Sequence, residues 1–278
     1  MSRPLTFHVP PEARPLFLRA LLAALDGPAQ EGPVERPAIL ERMAPYLDTR
    51  PRGEVITFAR DLGLIVHDQG GFALGPSAKA IERSTCPNDL VHGLQYFAWS
   101  PDQPDPKGAQ WTYRTVVDLL WAEAPVSLNS QFKKRLVEDV LARAQCDFAI
   151  VPTFDAARVS VGPKSIDGVG RWLEELSPPV LREGVVRRRE TCPPPLLIMA
   201  LGAAARIEGI SPNADFRLTA EHRALLARCC FIEPECLDRM LEWTIATQPK
   251  LLRWGSLVST YGRQVVLART DIGPEDVA

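Results

Sequence analysis

Apolar residues recur at helical spacing through most of this chain. Residues 15–25 are an almost unbroken apolar run, opened by a proline that suits a first helical turn and closed by Asp26-Gly27-Pro28. Ile39, Leu40, Met43 and Leu47 lie three and four positions apart and predict a second helix over residues 36–47. After a breaker at residues 49–53, Val55, Ile56, Phe58, Ala59 and Leu62 repeat the pattern, and Gly63 ends this third helix. The period then changes. Residues 64–66 begin a strand, Gly70-Gly71 supplies a tight turn, and a short returning strand leads into a helix entered at Pro76.

The middle of the chain reads as helices separated by loops. Leu90, Leu94, Phe97 and Ala98 share one helical face in residues 88–100, and the Pro/Asp-rich residues 101–108 interrupt it. Two further amphipathic helices are predicted over "WTYRTVVDLLWAEA" and residues 130–144. Residues 146–161 alternate weakly, as a short strand pair would, and "PKSIDGVGRWLEELSPPVL" is a helix ended by Pro178-Pro179. An apolar helix begins near Leu196. Thr219 is placed to cap a helix through residue 232, Pro234 opens another, and residues 251–269 alternate like two strands joined at Thr260-Tyr261-Gly262. The tail from Thr270 is expected to fray.

The order of three helices, a two-strand ribbon and a closing helix, in the phrase "LGLIVHDQGGFALGPSAKAI", resembles the winged helix-turn-helix superfamily. The likeness covers residues 10–85, and a weaker one covers 216–270. It implies a mostly α, α+β protein with a winged-helix domain at each end (1–85 and 216–278) and a helical middle domain (86–215).

Composition narrows the reading. The 278 residues are 46% hydrophobic and 24% charged, ordinary values for a folded protein with a sizeable core. No run reaches the length of a membrane span, and the start has no apolar stretch behind a basic one, so a cytoplasmic location without membrane partners is expected. The net charge of −2 argues against a protein that coats nucleic acid non-specifically, yet permits a local basic stripe. Cys86, Cys146, Cys192, Cys229, Cys230 and Cys236 contain no C-x-x-C pair, and with His222 they do not match zinc spacing. No catalytic motif surrounds His8, His67, His92 or His222, so neither catalysis, a metal nor a cofactor is expected.

Winged helices that read DNA lay the third helix in the major groove and the wing along the backbone. The resemblance therefore nominates Arg50, Arg52, Thr57 and Arg60 around the first such helix, although Glu54, Asp61 and a "HDQGG" wing tip carry little positive charge. In the second unit the groove helix bears Glu235, Asp238, Arg239 and Glu242, which repel DNA. Its ribbon bears Lys250, Arg253, Arg263 and Arg269 interleaved with Trp254 and Tyr261. Arg187, Arg188 and Arg189 form a cluster suited to phosphate or acidic partners, partly cancelled by Glu183 and Glu190. "QFKKR" at 131–135 and the glycine-bearing "KSIDGVGRW" are weaker anion candidates, and the latter lacks the G-K-[ST] ending of a phosphate loop. The expected function is a DNA-associated, non-catalytic subunit or regulator in a bacterial DNA-processing or phage-defence complex, with duplex DNA and other proteins as partners. The alternative is an adaptor that uses winged-helix surfaces for proteins alone.

Overall fold

The computed structural model describes residues 7–10, 14–26, 32–99, 108–149, 161–255 and 263–277. The chain is mostly helical with small antiparallel sheets. Helix α1 (Pro15–Leu25) starts on its proline and buries Phe17, Leu18, Leu21 and Leu25. Val34 makes an antiparallel bridge in which it and Phe72 exchange N–H···O bonds of 2.8 Å. Helix α2 (Arg36–Met43) buries Ile39 and Met43. Helix α3 (Glu54–Asp61) buries Val55, Ile56, Phe58 and Ala59. It ends in a glycine cap: Gly63, at φ +71°, donates to Arg60 O, and Leu64 N–H reaches Ala59 O.

Strands β1 (Ile65–Asp68) and β2 (Gly71–Leu74) pair with Asp68 opposite Gly71, so the turn residues are Gln69 and Gly70, both at positive φ. The turn thus falls one residue earlier than the Gly-Gly reading. Gly71 is a strand residue that must be small, because a Cβ there would overlap the Pro33 and Val34 backbone. Helix α4 (Pro76–Arg83) closes this region.

Next come α5 (Pro87–Phe97), α6 (Gly108–Glu123), β3 (Val126–Ser127), α7 (Ser130–Asp147) and α8 (Pro163–Glu174). The start of the weakly alternating stretch, Cys146 and Asp147, is the last turn of α7, and its remainder lies largely outside the described residues. β4 (Leu181–Arg182) and β5 (Val185–Val186) form a hairpin about Glu183 and Gly184, both at positive φ, and β3 joins it in the order β3–β5–β4. Sequence pattern missed this sheet, because strands of two residues carry no period.

Helix α9 (Pro194–Ile207) is buried on every side from Leu196 to Ala205 and packs against α5. It is followed by β6 (Asp215–Arg217), α10 (Ala220–Cys230), α11 (Leu237–Thr247), β7 (Leu252–Trp254), β8 (Gln264–Leu267) and α12 (Pro274–Val277). Thr219 caps α10 as its position suggests, and His222 returns the bond to the Thr219 amide where a capping box usually has Glu or Gln. The strand order is β6–β8–β7. This repeats the arrangement at the start of the chain, where Val34 pairs with β2 and β2 with β1. Both stretches run helix, strand, helix, helix, strand, strand, and both lead through Gly-Pro (Gly75-Pro76 and Gly273-Pro274) into a helix. Those two helices, α4 and α12, pack on each other, and Ser77 Oγ donates to Glu275 Oε2 at 2.9 Å. The tail is therefore not frayed: Val277 is buried against the first stretch.

One connected set of buried side chains runs from Phe7 to Val277. Inside it sits an ion pair. Arg189 Nη1 lies 2.8 Å from Asp89 Oδ1, with the two side chains 2% and 0% exposed. Arg189 also donates Nε–H to Cys230 O and Nη1–H to Ser177 O, while Ser177 N–H donates to Asp89 Oδ2. Burial pushes the Asp89 carboxyl above the usual range against the pull of Arg189. A guanidinium cannot shed its proton, so the buried cation demands the carboxylate, and the pair is ionised.

One helical turn on, His92 is completely buried. The Cys229 carbonyl at 2.7 Å only accepts, so His92 Nε2 carries the proton and Nδ1 accepts from Tyr113 O–H, also at 2.7 Å. Burial pushes the His92 pKa down from 6.5 to about 4. A depressed folded-state pKa means that stability is full above pH 6.5 and is lost as pH falls toward 4. The expected loss over that window is about 3 kcal/mol. Urea denaturation at several pH values checks this, and His92→Gln should flatten the slope by one proton.

Candidate interaction surfaces

Helix α3 presents Glu54, Thr57 and Arg60 to solvent, and Arg60 lies 3.6 Å from its neighbour Asp61. Arg50 and Arg52 are exposed in the loop before it. The Arg36 guanidinium occupies the space that a side chain on Gly53 would need, which seats the start of α3 against α2. The ribbon from Ile65 to Leu74 carries His67 and Asp68 near its tip and no lysine or arginine. The helix and ribbon that would meet a duplex are mixed in charge.

Helix α11 holds the corresponding place in the second stretch, and its charges are matched within the protein. Asp238 pairs with Arg223 at 2.9 Å, Glu242 with Arg263 at 2.7 Å, and Arg239 with Glu190 at 3.7 Å. The Arg223 hydrogen bond holds the Asp238 carboxyl below the usual range. Arg263 also lies 5.2 Å over the Trp254 ring, which packs half-buried against the core. Lys250 and Arg253 remain exposed. Arg253 shares one sheet face with Asp215 and the buried Val266, by cross-strand register. Tyr261 lies outside the described residues. Arg269 pairs with Asp276 of α12.

The arginine run splits in three. Arg187 is exposed. Arg188 stacks 4.6 Å over Trp121, donates to Trp121 O at 2.9 Å and pairs with Glu233 at 3.2 Å. Arg189 is the buried partner of Asp89, so it does not belong among surface cations that meet a phosphate. The strand ends at Val186, and the backbone bonds of Arg189 to Phe231 and Glu233 carry the third arginine into the core. Arg182 of β4 lines the same cleft as Arg187, a space of about 540 Å³ against Pro178, Pro179 and Val180. It was missed because it stands alone in sequence.

A second cleft of about 580 Å³ unites the two weaker sequence candidates. Lys133 of "QFKKR" and Lys164, Gly168 and Arg171 of "KSIDGVGRW" all line it, with Arg14. Asp167 sits 2.6 Å from Lys133 and Glu174 sits 2.8 Å from Arg171, so two of the four cations are matched. The glycines serve packing: a side chain on Gly168 would press on Val9, and one on Gly170 on Leu181 and Leu128.

The histidines occupy structural positions. His8 Nδ1 is 2.9 Å from Ser165 Oγ, but Ser165 is fully buried and closed to a substrate. His67 packs edge-on to Phe72, and His222 caps α10. Among the described residues no group of three or more His, Cys, Asp or Glu is arranged to hold a metal ion. The Cys192 and Cys230 thiols touch, and their pKa values are raised, by that contact and burial for Cys192 and chiefly by burial for Cys230.

Among the described residues no helix is long and apolar enough to cross a membrane. No protein-family model, no curated protein and no solved structure matches the chain.

The split of the arginine run is measurable. Arg187→Ala should change unfolding free energy by less than about 0.5 kcal/mol, because it is a surface substitution. Arg188→Ala should cost about 1–2 kcal/mol through the lost stacking and carbonyl bonds. Urea denaturation of the two variants compares them directly.

Proposed function

We propose that this chain is a non-catalytic adaptor made of two winged-helix units joined through a helical middle, with surfaces that serve protein partners. The repeated element order and strand order of the two stretches support the winged-helix reading. The charge on the groove-facing helices carries the adaptor reading. Asp238 and Glu242 lie on α11 with one arginine, Glu235 lies in the 3-10 turn just before it, and α3 offers Glu54 and Asp61 against Arg60. Phosphates need uncommitted positive charge or aimed amides, and these helices offer no free cation among the described residues: Arg239 lies by Glu190 and Arg60 by Asp61. Arg188, Arg189 and Arg263, three of the sequence-nominated contacts, have acidic partners of their own.

DNA association is the second reading. The exposed positions of Arg50, Arg187, Lys250 and Arg253 favour it. A place in a bacterial DNA-processing or phage-defence assembly follows from fold analogy alone. In such an assembly, a partner of this chain would grip the duplex.

A salt titration separates the two. Fluorescence anisotropy with a labelled duplex, run from about 50 to 200 mM salt, reads the number of phosphates neutralised. The adaptor reading expects weak binding whose log–log slope is shallower than about −2. An affinity that falls by about a thousandfold or more over that range is the mark of many phosphate contacts and would overturn it.

A further inference from the structure

The cleft beside the β4–β5 hairpin is where two basic side chains stand without a partner. Leu181 and Val186 are cross-strand neighbours, 6% and 0% exposed, and they face the core. The next pair along, Arg182 and Val185, therefore points the other way, and Arg187 follows on that same face. Arg182 and Arg187 are diagonal neighbours across the hairpin, a relation that spaces residues by about 7–8 Å, within reach of long side chains. Two guanidinium groups at this spacing suit one carboxylate gripped from both sides, or two in succession.

Among the described residues neither Arg182 nor Arg187 has an ion-pair or hydrogen-bond partner for its side chain, and both are exposed. The other charges around the cleft are accounted for. Arg188 belongs to Glu233, Arg189 to Asp89, and Glu190 to Arg239. Among the described residues that line the cleft, only Glu183, at the hairpin tip, is an acid without a partner of its own. The turn at Glu183-Gly184, with φ of 51° and 74°, is the tight two-residue form, so the arginines stand on a rigid element. Half-buried Pro178 and Pro179 add apolar lining to the cleft, and Val185 stands on the arginines' own face.

We infer that this cleft binds an acidic peptide segment of a partner protein, one that sets carboxylates on Arg182 and Arg187 and apolar side chains on the proline wall. This rests on the adaptor reading and gives the partner its chemistry. A nucleic-acid strand fits less well. Its evenly spaced phosphates make no use of the apolar proline lining, whereas a peptide can alternate charge with apolar contact. Each buried apolar contact adds to binding, and the cationic pair sets direction and register.

The test uses the full chain and a fluorescein-labelled peptide of alternating glutamate and leucine, read by anisotropy. Saturable binding is expected, weakened at least about tenfold by Arg182→Glu with Arg187→Glu, a loss of roughly 1.4 kcal/mol. Thermal unfolding of that variant should match the parent, since both side chains are exposed, which separates lost binding from lost fold. A peptide with glutamine in place of glutamate should bind at least about tenfold more weakly. No binding of the acidic peptide, equal binding of the glutamine peptide, or binding indifferent to the double variant each overturns the inference. So does labelled duplex DNA that binds more tightly than the peptide and is lost with the same variant. The salt titration of the parent chain judges the adaptor reading separately, so a failed cleft with a shallow DNA slope removes the site and leaves that reading standing.

Discussion

An arginine and an aspartate a hundred positions apart in sequence meet where no water reaches them. Bringing Arg189 and Asp89 out of solvent is costly, and the return comes only if every remaining donor and acceptor is placed. The chain meets most of that demand with pieces from four regions. Asp89 comes from the first turn of α5, Ser177 and Pro178 from the loop after α8, Cys230 from the end of α10, and Arg189 from the segment that leaves the β4–β5 hairpin. The backbone closes the same joint: Arg189 N–H donates to Phe231 O, and Glu233 N–H donates to Arg189 O. One atom, Arg189 Nη2, is buried without a hydrogen bond, near the Cys192 and Cys230 thiols. Because removing either partner strands a charge, the relative placement of these segments is tightly specified.

Local structure was largely legible in the residues. The helices around Pro15, Ile39 and Val55, the all-apolar helix after Leu196 and the Thr219 cap follow from spacing, prolines and caps, and the structure has them there. What sequence could not show was decided by contacts far along the chain. Asp89 and His92 look like the polar side of an amphipathic helix, yet both are buried, because Arg189, Tyr113 and Cys229 supply their partners. The three-stranded sheet β3–β5–β4 brings residue 126 beside residue 186, a pairing that no local pattern encodes. The tail from Thr270 is polar and short, but its Gly-Pro step begins a helix that docks on α4.

The candidate contacts divide by the same rule. Charge type could be read from the chain, but not whether a charge was already spent. Arg189 is spent in the core, Arg188 on Trp121 and Glu233, and Arg263 on Glu242 and Trp254. The acids of α11 are spent likewise, so a helix that looks repulsive in sequence is close to neutral with its neighbours included. Among the described residues Arg182 and Arg187 are left over on a rigid hairpin, and the proposed binding of an acidic segment rests on that remainder.

The Arg189–Asp89 pair holds these segments in register. A double-mutant cycle in urea tests it most directly, with Asp89→Leu, Arg189→Met and the two together. The account predicts that each single change costs about 3–5 kcal/mol, because it leaves one charge buried and alone, and that the double variant recovers most of the loss. Single variants that lose less than about 1 kcal/mol, or a double variant whose losses simply add, would contradict it.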